Sequence, residues 1–153
     1  MIFIPYNTPS LKNSKVKTSK GVFSSKTVKK YLNKLGIQNY SSSKKIVKGY
    51  VAKENEFEIL RNEFKKSLEN KRFPLLLGFH FIRDSKRKFD FGNATEIIFD
   101  LLTAHDIIPD DNISYIIPSI MSVDGVLPSI SNMREIEWYS VNKEKPGVYL
   151  NIY

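Results

Sequence analysis

The chain has no cysteine, which excludes disulfides, thiolate nucleophiles and cysteine-ligated zinc and suits a reducing cytoplasm. Its two histidines, His80 and His105, are too few to build a zinc site alone. Long apolar runs are also missing: stretches such as Phe73 to Phe81 fall far short of the roughly 20 residues a membrane-crossing helix needs. The first residues lack the charged start and long apolar stretch of a secretory leader. The expectation is a soluble, cytoplasmic protein with no membrane partner.

Two further absences concern charge. Residues 1–52 hold eleven lysines and no acidic residue, the first carboxylate being Glu54. Conversely, no lysine or arginine occurs from Asp90 to Met133, a stretch that carries Asp90, Glu96, Asp100, Asp106, Asp110, Asp111 and Asp124. In a chain of net charge +8 this reversal of sign is the most informative feature. Carboxylates about 4 Å apart repel by about 4 kcal/mol at an effective dielectric near 20, so a convergent cluster calls for a proton or a cation. Carboxylate oxygens suit magnesium, and basic surroundings suit a phosphate backbone. The plain alternative is a solvated basic arm and a solvated acidic face. Phe3, Tyr6, Phe23, Tyr31, Tyr40 and Tyr50, interleaved with the lysines, favour an ordered surface facing nucleic acid over a disordered tail or an anionic membrane.

What is present suffices for one core: 153 residues, 41% hydrophobic, read as a single domain over residues 1–153 with a lysine-rich region at 1–52. Met1 to Tyr6 reads as a strand and Asn7 to Gly21 as a loop. Ser25 is placed to cap a helix with Val28, Tyr31, Leu32 and Leu35 on one face and Lys26, Lys29, Lys30 and Lys34 on the other, ended by a left-handed Gly36. A polar connection at 37–49 precedes a second helix, from about Glu54 to Asn70, with Phe57, Leu60, Phe64 and Leu68 inward. Leu75 to Ile82 reads as a strand buried on both faces in its first half, followed by a charged turn from Arg83 to Lys88. Ala94, Ile97, Ile98, Leu101, Leu102 and His105 mark a helix starting at a capping Asn93, and Ile113–Ile117 and Val148–Tyr153 read as strands around a loop at Pro118–Asn132. This order predicts an α+β domain, a small mixed β-sheet with helices packed on one side.

Asp90 falls at a strand-to-helix corner, and Asp110 and Asp111 at a second corner, where consecutive acids of extended chain point to opposite faces. Glu96 and Asp100 share a helical face, an unfavourable like-charge spacing unless a cation or basic neighbour offsets it. Each has an ordinary reading too: Glu96 completes a capping box with Asn93, Asp106 is a turn residue, and Asp110-Asp111-Asn112 is a polar turn. His105 reads as packed or dipole-compensating, His80 as facing its neighbours in the strand, and Asp84 as ion-paired within its basic turn.

Arg87-Lys88-Phe89-Asp90-Phe91-Gly92-Asn93, followed by Asp100-Leu101-Leu102 and Asp110-Asp111, resembles the RusA family of Holliday junction resolvases. That family carries D-x-D-N, a lysine on the following helix, D-x-L and then D-D. Its proline- and asparagine-rich loop is matched by Pro9-Ser10-Leu11-Lys12-Asn13-Ser14, its turn into the first helix by Gly21 to Ser25, and its closing strand by Gly147 to Tyr153. Two positions depart: the second aspartate is Gly92 here and the helical lysine is Glu96. The resemblance implies a RusA-like, intertwined homodimer, of phage or prophage origin, that nicks four-way junctions or other branched DNA with magnesium, manganese substituting. It carries Asp90 and Asp111 over as metal ligands, with Asp110 beside the last and Asp100 on the helix. Glu96 then stands in for the missing carboxylate, and Lys12, Lys15, Lys86, Arg87 and Lys88 contact DNA. The alternative is a degenerate relative, or another basic protein, that binds DNA or RNA without cutting.

Overall fold

The computed structural model describes residues 1–10, 15–19, 21–37 and 56–153. Its elements are β1 (Ile2–Pro5), β2 (Lys15–Thr18), β3 (Gly21–Ser24), α1 (Lys26–Lys34), α2 (Glu56–Leu68), β4 (Leu75–Arg83), α3 (Phe91–Ala104), β5 (Ile116–Ile120), β6 (Tyr139–Val141) and β7 (Gly147–Ile152). The class is α+β with a mixed sheet and three helices among the described residues. No helix among these residues is long and apolar enough to cross a membrane. The polar connection expected at 37–49 lies outside the described residues from residue 38 onward.

The sheet is organised around β4. β7 runs antiparallel along one edge of it and continues to β1, while β5 and β6 share the other edge, both parallel to β4. β5 pairs with Leu75–Phe79 and β6 with Phe81–Arg83, so the sheet forks at His80. Ile4, Val148, Leu150, Leu77, Phe79 and Phe81 alternate onto one face and join a single core cluster with Tyr31 and Leu32 of α1, Phe57 and Phe64 of α2, and Ile98 and Leu101 of α3. The three helices therefore cover that face. Helix α1 has the predicted ends: Ser25 Oγ accepts the Val28 N–H at 3.3 Å, and Gly36, at φ 78°, lets the Ile37 N–H reach Leu32 O at 2.9 Å.

Four expectations need correcting. Within the supposed loop at Asn7–Gly21, β2 pairs with β3 in a separate two-stranded sheet, a hairpin whose four-residue arms are too short to show a period. Burial of β4 on both faces belongs to its second half, from Gly78 to Arg83, because Met121 and Tyr153 close over the back of Gly78 while Leu76 is only half-buried. The strand expected at Ile113–Ile117 is β5, which starts at Ile116 and includes Pro118. Leu75 N–H to Tyr115 O and Met121 N–H to Phe79 O set the parity, so Pro118 faces the outer edge and costs the ladder nothing. Ile116, also outward-facing, donates its N–H to Asn112 O at 3.0 Å, leaving an edge poor in donors and guarded against pairing with another strand. Finally, β6 was hidden inside a polar segment only three residues long.

Candidate functional site

The predicted site residues fall at two ends of the sheet. Asp90, expected to precede a cap at Asn93, is itself the cap. Its backbone is extended (φ −93°, ψ 120°) and its Oδ1 accepts the Asn93 N–H at 3.1 Å. The Phe91 ring, packed edge-on against Phe79 and Phe81 with centroids 6.0 and 5.9 Å away, draws the helix start upstream. Asn93 is thus inside the first turn, and Glu96 lies in the second turn, exposed, with no capping-box role. Replacing Asp90 by Ala should lower stability by about 1 kcal/mol in urea unfolding, whereas Asp90→Asn, an equally good cap, should change little. Equal losses in the two variants would contradict the capping role.

Asp110 is built into the turn before β5: Oδ1 accepts the Asp111 N–H at 2.8 Å and Oδ2 accepts from Asn112 Nδ2 at 3.0 Å. Asp111, although exposed, has its carboxyl pushed above the usual aspartate range, first by partial desolvation, then by a hydrogen bond with the Asp110 side chain and by the negative charges of Asp110 and Asp100. Asp111 thus sits beside Asp110 and feels the negative charge of Asp100, near where α3 ends and β5 begins. Asp90 is not among them. Ten residues of helix separate it from Asp100, about 15 Å of axial rise. The Phe89 ring, 5.4 Å from Phe81 and beneath the Arg83 guanidinium at 4.4 Å, holds it at the opposite end of β4. Glu96 sits one turn before Asp100, on the same face.

Among the described residues, no three His, Asp or Glu side chains converge as a ready metal-ligand set. The carboxylates that do meet offer only hard oxygen donors, and they crowd one another electrostatically. Magnesium is commonly held by one or two protein carboxylates, with substrate phosphate and water completing its shell, and Asp111 with Asp110 fits that requirement.

The other end of the sheet is basic. Lys86, Arg87 and Lys88 are exposed in the turn after β4, and Lys143 and Lys145 in the turn that leads into β7. Arg83, by contrast, is committed internally. It is buried, donates from Nη1 to Thr8 O at 2.5 Å and covers the Phe89 ring, so it positions the turn rather than meeting a phosphate. Lys26, Lys29, Lys30 and Lys34 line the exposed face of α1. Lys12 lies outside the described residues, and Lys15 falls in β2.

The chain matches no family model, no curated protein and no solved structure.

Neither histidine is placed for catalysis. His80 is buried at the fork of the sheet, with Nδ1 3.2 Å from Met121 O and Nε2 3.1 Å from Ser140 Oγ. A carbonyl only accepts, so Nδ1 donates to Met121 O, while Nε2 shares its bond with the Ser140 hydroxyl. The ring thereby ties the departure of the chain after β5 to its return in β6. His105 closes α3, its ring 4.4 Å from Phe57 and its carbonyl accepting from Arg61 Nε at 3.1 Å. Burial lowers the pKa of both; at His105 the Arg61 charge lowers it further. His105 is thus a packed neutral ring, and Arg61 supplies the cation at the helix C-terminus.

The pH consequence has a definite sign. Below about pH 6.5 the unfolded chain gains protons at both histidines before the folded chain does, so stability falls as pH drops through that window. The urea midpoint should be lower at pH 5.5 than at pH 7.5, a range in which ordinary carboxylates stay ionised. An unchanged or higher midpoint at pH 5.5 would contradict the buried, neutral assignment.

Sequence reasoning missed an aromatic group beside the basic turn. Phe89, Trp138 and Tyr139 lie with ring centroids 5.2 to 5.7 Å apart, and Trp138 also meets Phe91 at 5.5 Å. The available signal was the only tryptophan in the chain, adjacent to a tyrosine in an otherwise polar stretch.

Proposed function

We propose that the protein is a magnesium-dependent, structure-selective DNA endonuclease of RusA type, acting on four-way junctions or other branched DNA as a homodimer. The observation that carries this reading is the pairing of Asp111 with Asp110 in a +8 chain, a carboxylate pair whose repulsion, added to by the charge of Asp100, a divalent cation would relieve. Asp111 and Asp110 would hold the magnesium ion, which supplies water activation and stabilisation of the leaving oxygen. Asp100 would add its negative charge to that felt by Asp111. Glu96 extends the acidic strip along α3 toward Asp90.

Asp90 belongs to the basic end of the same chain, about 15 Å of helix away from Asp100. A second copy arranged head to tail would bring the Asp90 end of one chain to the Asp111 end of the other, which gives the proposed homodimer a chemical purpose. Lys86, Arg87 and Lys88 would hold phosphates and set register, recognition being by shape rather than by base sequence. The same separation favours a second reading, a RusA-like protein that binds branched DNA without cutting it.

Nicking of an end-labelled four-way junction with and without magnesium, by wild type and by Asp90→Asn, separates the two. Metal-dependent nicks lost in the variant support the nuclease, and tight binding with no nicks supports the binder. Because Asp90→Asn keeps the helix cap, its effect reads on charge rather than on folding.

A further inference from the structure

The Phe89–Trp138–Tyr139 group differs from the rest of the aromatic core in one respect. Phe79 and Phe81 are fully buried and serve packing alone, whereas Tyr139 is 44% exposed and Val141, two residues on and on the same face, is 43% exposed. T-shaped contacts to Phe89 and to Trp138, at 5.7 and 5.2 Å, fix the Tyr139 ring while much of its surface stays open to solvent. Phe89 is in turn fixed by the Arg83 guanidinium at 4.4 Å. Immediately before Phe89 in the chain stand Lys86, Arg87 and Lys88, all exposed. A rigid, open ring contiguous with three cations is what single-stranded nucleic acid exploits: bases stack on the ring whatever their identity, and the backbone follows the charge.

We infer that Tyr139, backed by Phe89 and Trp138, is a stacking platform for an unpaired nucleobase of DNA whose phosphates lie along Lys86, Arg87 and Lys88. The inference rests on the proposed branched-DNA reading and sharpens it, since a branch point is where a duplex offers bases that can leave the stack. The platform adjoins Asp90 rather than the Asp111 end, so it serves recognition and requires no metal.

Trp138, the only tryptophan, is a built-in reporter. The full-length protein is titrated without metal with a fluorescein-labelled 15-mer of thymidylate, the matching uridylate 15-mer and a duplex of equal length. Anisotropy measures binding, and tryptophan emission measures stacking in parallel titrations with unlabelled strands. Binding of the thymidylate strand should quench Trp138, the duplex should bind with little quenching, and Tyr139→Leu should weaken single-strand binding about tenfold while sparing the duplex. Tyr139→Phe should restore wild-type affinity, which a merely lost hydroxyl or a damaged fold would not allow. Lys86→Ala with Lys88→Ala should weaken both DNA forms alike and flatten the salt dependence. Tighter binding of the uridylate strand than of the thymidylate strand would overturn the assignment to DNA. Single-strand binding that leaves Trp138 emission unchanged and is indifferent to Tyr139→Leu would overturn the platform while leaving the branched-DNA reading intact. Failure to bind a junction, a duplex or a single strand would overturn both.

Discussion

Asp111→Asn should lower the proposed magnesium-dependent nicking of a four-way junction at least about a hundredfold, while junction affinity should stay the same or rise. The rate follows from the role assigned to the residue. A metal supplies several kcal/mol of charge stabilisation in phosphodiester hydrolysis, and each 1.4 kcal/mol lost costs about tenfold. Affinity follows from sign, since removing a negative charge from a surface that meets phosphate removes repulsion. Stability supplies the internal control. Asp111 is harder to ionise in the folded chain than in the unfolded one, because of partial desolvation and its neighbours Asp110 and Asp100. The folded state therefore binds more protons in the window just above the ordinary aspartate pKa, and the charge of Asp111 opposes folding at neutral pH. Asparagine, isosteric and neutral, relieves that opposition, so the melting temperature at pH 7.5 should not fall. Nicking that survives the substitution would remove Asp111 from the chemistry. A variant that loses both nicking and fold would contradict the electrostatic description of this corner.

Gly147→Ala destabilises the protein by about 2 kcal/mol or more, the upper part of the range for overpacking a tight interior. Gly147 starts β7 and pairs with Pro5 of β1 and Ile82 of β4. A Cβ there would run into the Phe3 ring and stand 2.6 Å from Ile4 O, closer than real side chains come. Phe3 could swing aside, but a backbone carbonyl within the β1–β7 ladder cannot. The double variant Phe3→Leu with Gly147→Ala should therefore recover only part of the loss, a non-additivity readable in a double-mutant cycle. The damage should also travel. β1 leads through Tyr6, at φ 73°, to Thr8, whose carbonyl holds Arg83, and Arg83 in turn roofs Phe89. Loosening β1 should thus weaken single-strand binding at the basic end before it affects the turn at Asp110. A Gly147→Ala protein as stable as wild type would contradict the packing of β1 against β7.

Local signals in the sequence were reliable where one residue decides a local geometry. Ser25 and Gly36 bracket α1, the apolar rhythm of Phe57, Leu60 and Phe64 marks α2, and Leu75 to Ile82 marks the central strand, which runs one residue further and takes in Arg83, read from sequence as part of the turn. Legibility failed where the deciding partner is remote in sequence. Pro118 looks like a strand breaker until its neighbours show that its missing N–H faces outward. Asn93 looks like a cap until packing of Phe91 on Phe79 and Phe81 pulls the helix start back to Asp90. The acidic segment suffered most. Seven carboxylates in a row of elements read as one cluster, yet a crossover from β4 through α3 to β5 carries the chain from one end of the sheet to the other, and so divides Asp90 from Asp111. Spacing along a chain does not encode which end of a sheet a corner occupies. The platform at Tyr139 was invisible for the same reason, since Phe89 and Tyr139 are brought together only by the short parallel pairing of β6 with β4.

The decisive measurement is the cleavage of a labelled synthetic four-way junction by the wild-type protein, against a linear duplex of the same arms, with magnesium, with manganese and with chelator. Nicks confined to the junction and dependent on either metal are the predicted result. Tight junction binding with no nick in either metal would contradict the nuclease and leave a protein that holds branched DNA without cutting it.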